Sequence, residues 1–201
     1  MELVLYVHGR GGSPEEAAHY RPLFPDARVE GLEYRADTPW DAGRELRPAV
    51  EKRAEGFSRV TLIAVSIGAF FSMHAGLDDM ICRAYFISPI VDMEKLIRSL
   101  MSRAGVTEDE LRRRGTIPTS FGEVLSWEYL RWVREHPVRW NAPTRILWGR
   151  RDELTAYETV AAFAASHGAD LTVMENGEHW FHTEEQMRFL DEWIRGGGAL
   201  T

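Results

Sequence analysis

The sequence predicts an α/β protein built on a doubly wound, mainly parallel six-stranded sheet with a helical insertion. Three observations carry that expectation. Short apolar runs recur at residues 3–7, 28–33, 60–65, 83–87, 144–148 and 171–174. They lack the strict apolar–polar alternation of a sheet wetted on one face, so both faces are expected to be covered. Helix-start signals lie between the runs, and strand–helix–strand succession implies right-handed βαβ units. The rhythm breaks once, between Ile90 and Thr144, where no strand is expected.

Taken in order, residues 3–7 open the sheet. Ser13-Pro14-Glu15-Glu16 then offers an N-cap, a first-turn proline and a capping-box glutamate, and Thr38-Pro39 offers a second helix start. Residues 60–65 lead into a helical stretch at 69–75. After 83–87 comes the insertion, about 91–142. In it Thr107-Glu108-Asp109-Glu110 caps a short helix ending near Gly115, and residues 121–134 carry a second helical pattern. Thr155-Ala156-Tyr157-Glu158 and Thr183-Glu184-Glu185-Gln186 repeat the capping-box spacing. In the last helix Met187, Leu190 and Ile194 share a face, with Trp193 beside them. No repeat, low-complexity segment or linker interrupts the chain, so a single domain, 1–201, is expected, with the insertion as its cap.

Composition narrows the function. The 201 residues carry 24 Lys+Arg against 31 Asp+Glu, a formal charge of −7. An acidic balance argues against a nucleic-acid protein, which needs a basic stripe for phosphates. The single cysteine, Cys82, excludes an internal disulfide framework and a Cys-rich zinc site. No run is long enough to span a membrane and none has the pattern of a leader, so a soluble cytoplasmic protein is expected. There is no metal-ligand spacing, and no cofactor is called for. The seven tryptophans are unexplained by composition.

Three segments that follow predicted strands carry chemistry, at the carboxyl strand ends where open α/β sheets bind ligands. Ala64-Val65-Ser66-Ile67-Gly68 sets a serine at a strand-to-helix turn, with small residues two positions to either side as a strained turn requires. The alternative is a serine that merely caps the following helix. Asp152 lies in Trp148-Gly149-Arg150-Arg151-Asp152, and His179 in Asn176-Gly177-Glu178-His179-Trp180. Each alone is an ordinary loop residue. Together they run nucleophile, acid, base. A serine hydroxyl needs a base within hydrogen-bond reach, and that base needs a carboxylate to set its tautomer and stabilise its cation.

At these residues the chain resembles the α/β-hydrolase family over nearly its whole length. The matching pieces are His8-Gly9, the elbow around Ser66, Gly149-Arg150-Arg151-Asp152 and Gly177-Glu178-His179. The resemblance implies an oxyanion hole made by the backbone N–H groups of Ile67 and Arg10, with His8 structural. It looks closest to small bacterial hydrolases and esterases. Three departures stand out. Ala64 replaces the usual glycine, the opening pair of antiparallel strands is absent, and the loop reads His8-Gly9-Arg10-Gly11-Gly12. A serine at the elbow also differs from the aspartate of dehalogenases and epoxide hydrolases. The implied reaction is acyl transfer to water, on a carboxylic ester of a small or medium acyl substrate. A thioesterase, a small-peptide hydrolase, or a non-catalytic binding protein on the same fold are the alternatives.

Rival assignments exist for each role. Asp92 competes for the acid but is expected to start the insertion's first helix. His182 is expected to flank the last helix, and His74 to be packed or on the surface. Trp127, Tyr129, Trp132, Trp180 and Phe181 are candidates for an acyl pocket, of which Trp127, Trp132 and Trp180 are singled out; the alternative is a small core. Arg112-Arg113-Arg114 reads as a solvated helix face or a carboxylate anchor, and Arg150 and Arg151 are open in the same way.

Overall fold

The computed structural model of the chain describes residues 1–196; the last five positions of the expected 1–201 domain lie outside the described residues. The chain begins with β1 (Glu2–Val7), a 3-10 helix (Pro14–Leu23), β2 (Ala27–Gly31), α1 (Pro39–Ala54), β3 (Arg59–Val65) and α2 (Ile67–His74). A 3-10 turn (Leu77–Asp79), β4 (Arg83–Ile87), α3 (Met93–Ala104) and α4 (Glu108–Arg114) follow. Then come β5 (Thr116–Pro118), β6 (Val124–Ser126) and α5 (Trp127–Glu135). The chain returns through β7 (Thr144–Gly149), α6 (Tyr157–His167), β8 (Asp170–Met174) and α7 (Glu184–Arg195).

The six long strands form one sheet in the order β2-β1-β3-β4-β7-β8, and every pair is parallel. Burial explains the apolar runs. Val4, Tyr6, Ile63, Tyr85, Ile87 and Leu147 lie in one buried cluster with Ala17 and Tyr20 of the 3-10 helix and Leu190, Trp193 and Ile194 of α7. The alternate residues Leu3, Leu5, Leu62, Ala64, Phe86 and Ile146 face the other way and are fully buried as well. Strand order reverses between β1 and β3, which makes the mouth between their carboxyl ends the topological switch point.

By contact the chain forms two compact units, residues 1–91 with 139 onward, and residues 92–138. The second unit is narrower than the expected 91–142 because the residues after 138 are spent on the sheet unit. Trp140 donates its indole N–H to Thr144 Oγ1 at 2.7 Å and packs on Phe86. Within residues 92–138, Asp92 caps α3 by accepting from the Lys95 N–H, and Thr107 caps α4 by accepting from that of Glu110. Arg134 on α5 reaches Glu94 of α3 and grips Glu108 of α4 with both terminal nitrogens. One guanidinium thus ties three helices.

Three local expectations are corrected. The segment expected to hold no strand contains the antiparallel β5–β6 hairpin, its turn made by Gly122 at φ 87°. Strands of three residues are too short to show a period. That hairpin also delays the second helix of the segment from 121 to Trp127, where Ser126 caps it. The helix expected after Ser13 is 3-10, and Ser13 makes no cap bond. Its capping-box partner Glu16 accepts instead from the Tyr6 hydroxyl, and Pro22 interrupts any α-helical ladder. Among the described residues no helix is long and apolar enough to cross a membrane.

Candidate active site

Ser66 stands at the switch point, between β3 and α2, in a backbone conformation (φ 52°, ψ −121°) that L-residues rarely adopt. The serine does not cap its helix. Its Oγ lies 2.9 Å from His179 Nε2, so the capping alternative is set aside. Strain of this kind persists only where the surroundings enforce it, and here they do. The Ser66 N–H donates to the Ile87 carbonyl at 3.0 Å, while the Ser66 carbonyl accepts from the Ile90 N–H at 3.1 Å. The end of β4 therefore brackets the elbow through its main chain. Ser88, in the middle of that bracket, is itself buried and left-handed at φ 45°.

Gly68 is required by close approach. A Cβ there would fall 2.4 Å from the His8 carbonyl oxygen and 2.8 Å from that of Val7. The loop after β1 consequently lies against the elbow, and a Cβ on Gly9 would come 3.2 Å from the Cβ of Ser66. This brings the main chain leading to Arg10 beside that of Ile67. Ile67 is the first residue of α2, so its N–H has no partner within the helix. The small residue at position 64 is fully buried on β3, with no glycine needed.

Asp152 and His179 sit on the loops after β7 and β8, and those loops are stitched together. Arg150 N–H donates to the Met174 carbonyl and Arg151 N–H to that of Gly177, at 2.9 and 2.8 Å. A Cβ on Gly149 would fall 2.3 Å from the Gly177 oxygen, and one on Gly177 would fall 2.9 Å from the Gly149 Cα. This glycine pair lets the loops carrying Asp152 and His179 meet backbone to backbone.

The Asp152 side chain is 0% exposed and both oxygens are used. Oδ1 accepts from the N–H groups of Leu154 and Thr155, and Oδ2 from the Thr155 hydroxyl at 2.8 Å. His179 Nδ1 is 2.7 Å from the same Oδ2. Burial pushes the Asp152 pKa up, but the hydrogen bond and charge of His179, with the Thr155 and Leu154 N–H groups, outweigh it and hold the carboxyl below its ordinary value. An ionised carboxylate only accepts, so the proton sits on Nδ1 and Nε2 is left to accept from Ser66. The result is an unbroken chain, Ser66–His179–Asp152. Thr155 explains a failed helix signal: it bonds Asp152, and α6 starts later, at Tyr157, with no side-chain cap.

The remaining candidates fall elsewhere. Asp92 is engaged as the cap of α3. His182 donates its N–H to Gln186 Oε1 and stacks on Trp180, and the His74 ring packs edge-on against Phe70. Trp180, adjacent in sequence to His179, is 72% exposed. Trp127 and Trp132 are half-buried in the 92–138 unit, where Trp132 stacks on His136. Phe181 belongs to the sheet core. Arg112, Arg113 and Arg114 are exposed. Arg150 pairs with Glu175 and lies over the rings of Trp148 and Tyr157, and Arg151 bonds Asn176.

Sequence reasoning passed over Tyr34, whose hydroxyl donates to the His8 carbonyl at 2.6 Å and whose ring stacks on that of His8. Burial, with the charges of Glu16 and Glu45, raises its pKa and keeps the donor protonated. Nothing local marks it, because the contact spans 26 residues.

No family model matches the chain, and no curated protein does. Solved structures do. Est1E from Butyrivibrio proteoclasticus superimposes with a TM-score of 0.75 at 16% identity, covering 97% of this chain and 86% of that one. Alpha/beta hydrolase domain-containing protein 10 from mouse gives a TM-score of 0.72 at 13% identity, covering 96% and 88%. An alpha-beta serine hydrolase homologue from Coxiella burnetii gives 0.63 at 15% identity, covering 99% and 85%. With its six-stranded parallel sheet, reversed strand order and elbow at the switch point, this chain has the α/β-hydrolase fold.

Proposed function

We propose that the protein is a serine hydrolase that cleaves a carboxylic ester of a small or medium acyl substrate through an acyl-enzyme. The observation that carries this reading is the Ser66 hydroxyl, directed at His179 at 2.9 Å and released from helix capping. Ser66 Oγ attacks the ester carbonyl while His179 Nε2 takes its proton. The tetrahedral oxyanion is held by the N–H groups of Ile67 and Arg10. His179 then returns the proton to the departing alcohol, and a water deprotonated by His179 releases the acid. Asp152 keeps the imidazole oriented and stabilises its cation.

The ester is favoured over the thioester or peptide by what is known of similar folds. Est1E has been solved with ferulic acid bound, and another neighbour is an esterase of Pyrococcus furiosus. Trp180, exposed and stacked on His182 beside the base, is our candidate for contact with the acyl group. The test is a panel of p-nitrophenyl esters of increasing acyl length, a feruloyl ester, an acyl thioester and a dipeptide. Turnover of short and medium esters by the wild type, lost in Ser66→Ala, is the expected result. No turnover above that of Ser66→Ala on any substrate would overturn the reading.

A further inference from the structure

Half of the proposed oxyanion hole rides on the loop after β1, and a loop rich in glycine needs its ends anchored to hold an N–H against the elbow. Residues 8–12 include three glycines, one of them left-handed at φ 74°. Within the loop the Gly9 carbonyl accepts from the Gly12 N–H at 3.1 Å and lies 2.8 Å from His8 Nδ1, which closes a turn around Arg10; contacts outside the loop set where that turn sits. At its far end a Cβ on Gly12 would come 2.9 Å from the Glu16 carboxylate that accepts the Tyr6 hydroxyl, so the glycine lies close beside it. At its near end the His8 carbonyl is confined from two sides. The Tyr34 hydroxyl donates to it at 2.6 Å. On the other side lies Gly68, where there is no room even for a Cβ. The Tyr34 ring is fixed in turn, stacked on His8 at 4.3 Å between centroids and edge-on to Phe71 at 5.9 Å. The His8–Gly9 peptide plane is thus set immediately before the Gly9–Arg10 peptide that carries the Arg10 N–H.

We propose that Tyr34 is a positioning residue of the oxyanion hole, clamping the His8 peptide so that the Arg10 N–H is aimed before substrate arrives. It comes from the loop after β2, the strand that flanks β1 on the side away from the elbow. The segments after β2 and β3 therefore both confine one carbonyl on the loop after β1. A preorganised donor strengthens binding to the oxyanion and not to the ground-state ester, so loosening it lowers kcat and leaves KM alone.

This inference rests on the serine-hydrolase reading, and the experiment separates the two. Tyr34→Phe keeps the ring stack and removes only the hydroxyl. Kinetics on the best ester of the panel are measured for wild type, Ser66→Ala and Tyr34→Phe, well below the melting temperature of each. The expected result is a roughly tenfold lower kcat in Tyr34→Phe, with KM within about twofold, part of the hundredfold or greater loss that removal of an oxyanion donor brings. A merely structural hydroxyl would lower the melting temperature and leave kcat intact; that outcome overturns the proposal. So does a change confined to KM, which would mean a substrate contact. Activity in the wild type, absent in Ser66→Ala and undiminished in Tyr34→Phe, removes this inference while the hydrolase reading stands.

Discussion

His179→Ala is expected to lower kcat for ester hydrolysis by about five to six orders of magnitude, the loss seen when one member of a serine–histidine pair is removed. At about 1.4 kcal/mol per tenfold this amounts to roughly 7–8 kcal/mol of transition-state stabilisation. The size follows from the geometry. His179 Nε2 is the group bonded to the Ser66 hydroxyl, and the residue next to it that titrates, Asp152, is committed through both oxygens. Among the described residues His179 is the base bonded to the Ser66 hydroxyl, and its loss leaves that proton without this acceptor. Folding should be little affected, because the imidazole is partly exposed and the loop is held by its main chain. The double variant Ser66→Ala/His179→Ala should be no slower than either single one, since the residues act as a unit. Asp152→Asn should cost about ten-thousandfold, because an amide in that site disturbs the tautomer that leaves Nε2 free to accept. Steady-state kinetics on the wild type and these four variants, with melting curves as a control, check all of this.

The second large effect is steric. Gly68→Ala introduces a Cβ that would stand 2.4 and 2.8 Å from two carbonyl oxygens at the end of β1, and backbone cannot swing aside as a side chain can. Either the elbow or the loop carrying Arg10 must move. Overpacking of this kind costs about 1–3 kcal/mol, a fall in melting temperature of about 2–12 °C for a chain of this size. Displacing one oxyanion donor costs a further hundredfold or more in kcat. The two readouts should fall together, measured by thermal unfolding and by ester kinetics. Unchanged kcat in Gly68→Ala would mean that the loop after β1 does not serve the oxyanion.

How far the sequence could be read depended on how local the determining contact was. The six long strands were legible within a residue or two, because burial on both faces leaves continuous apolar runs such as Val60-Thr61-Leu62-Ile63-Ala64-Val65. Helix caps at Thr38, Asp92, Thr107 and Thr183 were legible because each accepts from an N–H three residues on. The signals at Ser13 and Thr155 misled because residues outside the helix claimed the capping groups. Glu16 answers to Tyr6 of β1, ten residues back, and Thr155 to Asp152, three residues back in the preceding loop. Ser66, Asp152 and His179 could be ranked by their order along the chain, and the fold brings them into bonding distance. The Gly149–Gly177 contact and the Tyr34 clamp were beyond the sequence, since each joins segments that only the sheet makes neighbours.

The central claim is that Ser66 is a nucleophile activated by His179. Its most direct test is covalent labelling of the folded protein with a fluorophosphonate, with the adduct mapped by peptide mass spectrometry. The account requires one label per chain, on Ser66, absent in Ser66→Ala and sharply slowed in His179→Ala. Folded wild-type protein that stays unlabelled, or that carries the label on a different residue, would contradict it.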